Sequence, residues 1–128
     1  MIRFLTAGES HGPALTTIVE GAPSGLPLDA QGLAEELARR RLGHGRGPRM
    51  RLEKDEIEII GGVRFGLTLG GPISVIIRNT EWERWSEEMS PEEGTSRREM
   101  TSPRPGHADL PGMLKYQTHD ARDILERA

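Results

Sequence analysis

ISVIIRN, residues 73–79, is the most apolar β-branched run in the chain. Three isoleucines and a valine within five positions pack poorly in an isolated helix and well on a pleated surface. The run follows Gly70-Gly71-Pro72, a turn signal, and ends at a polar Arg-Asn pair. It reads as the central, most buried strand of a sheet. Working outward, Glu56-Ile57-Glu58-Ile59-Ile60 alternates acid with isoleucine and closes a half-exposed strand over 52–60, broken by Gly61-Gly62. Residues 63–68 form a further short strand. Ile2–Thr6 and Leu15–Val19 supply two more, and GAPSGLPLD (21–29) is turn-rich. Asp29 is a good helix N-cap, and residues 30–41 are helical, with Leu33 and Leu37 one turn apart. Glu35 with Arg39 and Glu36 with Arg40 are acid-first i,i+4 pairs. Basic residues in the last turn and Gly43 just beyond end that helix. The pattern is α+β, rich in strands and poor in helices.

Downstream, residues 80–105 change character to a polar, highly charged stretch, which predicts a mobile loop. Trp82 and Trp85, three apart, form one face of a helical turn, or anchor a lid or a partner. PRPGHADLPG (103–112) reads as a second loop defined by Gly and Pro, carrying His107 and Asp109. Asp120 caps a final helix, ARDILERA.

Composition narrows the functional classes. Hydrophobic residues make up 34% of the 128 and aromatics 4%, low for a self-sufficient core, with Gly 16 and Pro 9. The core is expected to be completed by further chain or by a partner. No cysteine is present, which removes disulfides and thiolate metal sites and fits a reducing, cytoplasmic setting. The N-terminal residues hold no long apolar stretch, so neither a signal peptide nor a membrane span is read. A formal charge of −3 argues against bulk polyanion binding, so an anion site must be local.

Two places concentrate chemistry. Arg39–Arg51, RRRLGHGRGPRMR, gathers six arginines, His44, three glycines and a proline in an acidic chain. Forked guanidiniums suit phosphate and carboxylate, and glycine lets backbone approach a ligand. Taken alone, the block is an anion site, a nucleic-acid contact or a solvated basic face. AGESHG (7–12) puts Ser10 and His11 on a loop at a strand end, where sites often lie. There is no Walker motif, no GxGxxG after a strand, no HExxH and no GxSxG, and the four histidines lack ligand spacing, so no metal is expected.

Three stretches together, FLTAGESHGPAL (4–15), RRRLGHGRGPRMRLEKDE (39–56) and RPGHADLPGMLKY (104–116), closely resemble the chorismate synthase family. GGVRFGLTLGGPISVIIRN (61–79) and DARDILERA (120–128) resemble it too, so the likeness spans essentially the whole chain. The resemblance implies a β-α-β sandwich, antiparallel-rich sheets covered by helices, with residues 1–128 an N-terminal portion of one catalytic domain. It implies a carbon–oxygen lyase of the shikimate pathway. That enzyme converts 5-enolpyruvylshikimate 3-phosphate to chorismate and phosphate by anti 1,4-elimination, and requires reduced FMN although the reaction is redox-neutral. The enzyme implied is a cytoplasmic homotetramer that binds neither nucleic acid nor membrane. His11 matches the histidine that protonates the leaving phosphate, with Ser10 beside it. Arg40, Arg46 and Arg49 match substrate contacts, and Arg40 and Arg46 also match positions that take NADPH in members with flavin reductase activity. His107 matches the histidine at the flavin, and Arg127 and Ala128 begin an FMN-binding segment. Asp109 is read as a loop residue orienting His107.

Two other classes compete. A small Arg/Gly-rich nucleic-acid-binding module would use RGPRMR, but the net charge is negative and no aromatics interleave with the arginines. An interaction piece would self-associate through residues 73–77 or the tryptophans.

Overall fold

The structure is a computed structural model and describes residues 1–9, 11–41 and 56–125, excepting the side chains of 40, 41 and 125. Of the expected site residues, Ser10, Arg46, Arg49, Arg127 and Ala128 lie outside this description. Arg40 is described only as helical backbone. In chain order the elements are β1 Arg3–Ala7, β2 Ala14–Glu20, α1 Ala30–Arg41, β3 Glu56–Gly61, β4 Val63–Arg64, β5 Leu67–Thr68, β6 Ile73–Arg78, a 3-10 turn Trp82–Arg84, α2 Asp109–Tyr116 and α3 Arg122–Leu125.

ISVIIR forms β6, an interior strand of a four-stranded sheet ordered β1-β2-β6-β3. Every pairing is antiparallel. The register aligns Phe4 with Val19 and Val19 with Ile73, and Leu15 and Ile57 with Ile77. Directly paired residues share a face, so this register gathers the apolar side chains into rows. The opposite face carries Arg3–Glu20 at 2.7 Å and Arg78–Glu58 at 2.7 Å, exposed pairs that set register more than stability. β3 alternates exposed and half-buried residues, as EIEII predicts. α1 packs against β3, and the far end of the sheet is left open: Phe4 is 74% exposed. Buried apolar residues are few among those described, namely Ile73, Ala121 and Ile124. This agrees with the low hydrophobic fraction.

The caps are local. The Asp29 carboxylate accepts from Gly32 N–H at 2.7 Å, and Asp120 Oδ1 accepts from Arg122 N–H at 2.9 Å. Arg39 pairs with Glu36 one turn back, through Nε at 3.1 Å, while Glu35 takes Gln31 instead.

Two expectations need correction. Residues 63–68 are a hairpin, β4 with β5, rather than one strand. Phe65 and Gly66 both take positive φ, 52° and 75°, making the reversal. Phe65 gives no turn signal, so the pattern hides it. The hairpin is held by the GAPSGLPLD turn: Leu26 N–H donates to the buried Thr68 hydroxyl at 2.9 Å, which donates to Pro23 C=O at 2.7 Å. Second, the loop read over 103–112 ends early, because α2 begins at Asp109 and runs through Pro111. Proline is tolerated there because first-turn N–H groups have no helical partner to lose. Gly112 then lies inside α2 facing α3, where a Cβ would meet Ile124 Cγ2 at 2.3 Å.

Candidate functional site

The His11 loop is built at the open end of the sheet. Gly8 takes φ 118°, and a Cβ there would stand 2.6 Å from Ala14 C=O, so the turn out of β1 requires glycine. Gly12 N–H donates to Glu9 C=O at 3.0 Å, closing the turn on which His11 sits. Asn79, the residue after β6, clamps this loop. Its Nδ2 donates to Gly12 C=O at 2.9 Å, and its backbone N–H to Pro13 C=O at 3.0 Å. The stretch that decides the sheet therefore also locates the histidine.

His11 is half-buried, and its ring lies on Trp85, with centroids 4.2 Å apart and planes tilted by 59°. The same indole is approached by two guanidiniums, Arg122 at 5.4 Å and Arg98 at 5.9 Å. These distances lie within cation–π range. The polar segment 80–105 thus has fixed points. Glu88 accepts from the Ser96 hydroxyl and from Arg97 N–H at 3.1 Å, and Met100 N–H reaches Asp120 Oδ1 at 2.9 Å. The Ser96 hydrogen bond and the backbone N–H groups of Arg97 and Arg98 hold the Glu88 carboxyl below the usual range, against burial.

His107 stands exposed just before α2, with Nδ1 3.0 Å from Pro105 C=O. A carbonyl only accepts, so Nδ1 carries the proton and Nε2 is the nitrogen not engaged by Pro105 C=O. Asp109 does not orient this ring by hydrogen bonding. Its carboxylate, 1% exposed, accepts from Arg104 backbone N–H, Nε and Nη2 at 2.9, 2.8 and 3.1 Å. Those Arg104 contacts push its carboxyl down to about 2. Asp109 thereby fixes the loop that carries His107 rather than the imidazole itself.

Of the expected residues, then, the described structure seats His11 against Trp85 and His107 on its own Arg104–Asp109 loop. Arg46 and Arg49, which would join them, lie outside the described residues, as does the side chain of Arg40. A cleft of about 590 Å³ opens nearby, lined by Glu9, Glu88, Asp120, Asp123 and Arg122 among others. Four carboxylates to one guanidinium make it a poor seat for a phosphate. No helix among the described residues is long and apolar enough to cross a membrane. Sequence reasoning missed Asn79, Trp85 as a neighbour of His11, and Arg104. The two tryptophans at helical spacing were the available signal for Trp85.

Comparisons with known proteins place the chain. A family model described as chorismate synthase matches residues 2–128. Chorismate synthase of Frankia casuarinae is 58% identical over 136 residues, covering 100% of this chain and 34% of the relative. That of a Sulfurihydrogenibium species is 56% identical over 129 residues, covering 100% and 33%. A crystal structure of chorismate synthase superposes with a TM-score of 0.67 at 43% identity, over 98% of this chain and 28% of that one. The mixed architecture with its antiparallel four-stranded sheet matches that structure. The chain spans about a third of the length of the curated relatives it matches.

Proposed function

Since the chain belongs to the chorismate synthase family, we propose that these residues contribute the proton-donating and anion-binding side of an enzyme that makes chorismate from 5-enolpyruvylshikimate 3-phosphate. The single observation that carries this reading is the family match across residues 2–128. The sheet and α1 are one unit of a β-α-β sandwich, and the polar segment 80–105 lies against the His11 turn and α3. The complete enzyme is a cytoplasmic homotetramer.

The substrate bears a phosphate and two carboxylates, and Arg40, Arg46 and Arg49 hold them, with Ser10 as a hydroxyl partner. Preorganised guanidiniums stabilise the charge that builds on the phosphate as its C–O bond breaks. His11, in its protonated form, delivers a proton to the departing phosphate oxygen, since a less charged phosphate is the better leaving group. A ring hydrogen leaves as a proton from the opposite face, and its C–H electron pair enters the new ring double bonds as the C–O pair departs with the phosphate, so atoms and electrons balance. Reduced FMN, when bound, would supply electron density for the C–O cleavage without net oxidation, and His107, Arg127 and Ala128 would lie on its side of the pocket. His107 suits the flavin side because Nδ1–H is engaged by Pro105 C=O and Nε2 remains for a ligand. Arg127 and Ala128 add to that side, and Arg40 with Arg46 take NADPH in an enzyme that reduces its own flavin.

The test is chorismate formation by the complete polypeptide with reduced FMN under anaerobic conditions. His11→Ala and His107→Ala are each expected to lower kcat by about 10² to 10⁴, with FMN still bound. Normal turnover by both variants overturns the role assignments.

A further inference from the structure

Arg104-Pro105-Gly106-His107 is a β-turn, closed by His107 N–H donating to Arg104 C=O at 3.4 Å. Proline fixes φ near about −65° at the second position, and Gly106 takes φ 73° at the third, a combination that belongs to type II rather than type I. The two types differ by a flip of the central peptide, here the one between Pro105 and Gly106. Type II therefore decides which way the Pro105 carbonyl faces. In this turn it faces the imidazole, and His107 Nδ1 lies 3.0 Å from its oxygen. A Cβ at Gly106 would meet nothing within 4 Å, so the positive φ, and not crowding, calls for glycine there. The turn is anchored at its base, where Arg104 is bound through three nitrogens to the buried carboxylate of Asp109, the first residue of α2.

We propose that Gly106 is a positioning residue for His107: the type II turn that it permits sets the Pro105 carbonyl on Nδ1–H and leaves Nε2 as the nitrogen that exchanges a proton with the flavin side. The proposal rests on the reading of His107 as a flavin-side residue. A neutral imidazole in water distributes its proton over both nitrogens. Here the carbonyl can only accept, so Nδ1 keeps its hydrogen whether the ring is neutral or cationic, and Nε2 alone gains or gives a proton. An L side chain is strained at φ 73°, and with alanine at this position the turn relaxes toward type I, which turns the Pro105 carbonyl off the ring. Asparagine tolerates positive φ better and keeps the type II form.

The tautomer supplies the arm of the test that needs no turnover. In nitrogen NMR spectra of the present chain with isotope-labelled histidine, the His107 signals are assigned by their loss in His107→Asn and followed until the ring is fully neutral. Nδ1–H is the form expected in the unsubstituted chain. Gly106→Ala should move the population to Nε2–H, and Gly106→Asn should retain Nδ1–H. Nε2–H as the main form in the unsubstituted chain, or an unchanged tautomer in Gly106→Ala, overturns the proposal. The first of these outcomes is read without any substitution at the turn, so it decides the matter even where Gly106→Ala fails to fold.

Activity supplies the second arm, in the complete chorismate synthase polypeptide with reduced FMN. Gly106→Ala is expected to lower kcat about tenfold with KM for the substrate little changed, and Gly106→Asn to keep most of the wild-type rate. In a His107→Ala background, Gly106→Ala should cost nothing further, because the ring that it positions is gone. Wild-type kcat in Gly106→Ala, or a loss that adds in full to that of His107→Ala, overturns the proposal. An active His107→Ala enzyme overturns instead the flavin-side reading on which the proposal rests, and the two failures are told apart because the tautomer spectra do not depend on turnover.

Discussion

Arg104 encloses the Asp109 carboxylate with three nitrogens, its own backbone N–H at 2.9 Å, Nε at 2.8 Å and Nη2 at 3.1 Å. The two residues bracket Pro105, Gly106, His107 and Ala108, so one ion pair closes a tight loop around His107. A bidentate fork on a carboxylate is the strongest geometry that such a pair can adopt. The carboxylate is buried while the Arg104 side chain stays 43% exposed, so the side chain that would be left uncompensated is Asp109.

This pair makes the loop pH-sensitive in one direction. The folded carboxyl lies at about 2, below the ordinary value of about 3.9. A depressed carboxyl contributes stability that is complete above the unfolded value and is lost as pH falls through the folded one. Asp109→Asn should therefore be less stable than wild type at pH 7, with the difference shrinking between about pH 4 and about pH 2. Urea midpoints measured at pH 7, 4 and 2.5 check this. A gap that stays constant across the series would mean that the carboxylate charge is not what holds the loop.

Gly112 lets α2 and α3 touch. A Cβ at this position would lie 2.3 Å from Ile124 Cγ2 and 3.1 Å from Cγ1, inside contact distance of a buried side chain. Gly112→Ala should cost about 1–3 kcal/mol by overpacking, outweighing its gain in helix propensity of about 1 kcal/mol. Gly112→Ala combined with Ile124→Ala should cost less than the sum of the two single changes, since the cavity made by one receives the methyl of the other. Thermal melts of the four proteins decide it.

Asn79 ties the sheet to the His11 loop through Gly12 C=O, and its Oδ1 accepts from Glu81 N–H at 2.9 Å. Asn79→Ala should cost about 1–3 kcal/mol by leaving partly buried backbone groups unsatisfied. Amide hydrogen exchange should rise at Gly12 and Glu81 and stay unchanged in α2. Unchanged exchange at both sites would show that the clamp does not hold the loop.

Much of the fold is legible in the chain because its cues are local. β-branched residues at 73–77, the alternation at 56–60 and the aspartates at 29 and 120 act over a few residues, and the strands and caps form where those cues lie. The low apolar content likewise matches the few buried apolar residues among those described. Other features came only from the tertiary structure. The Phe65–Gly66 reversal depends on Thr68 bonding to a turn more than forty residues earlier, and no local pattern records that partner. α2 starts at Asp109 because Arg104 secures the carboxylate there, although Pro111 and Gly112 both speak against a helix. His11 and Trp85 are far apart in sequence and meet only because antiparallel pairing brings the end of β6 beside the start of β2. Residue types and spacing named the histidines, since chemistry belongs to single side chains. Their neighbours were decided by strand register and helix packing, which depend on contacts between distant parts of the chain.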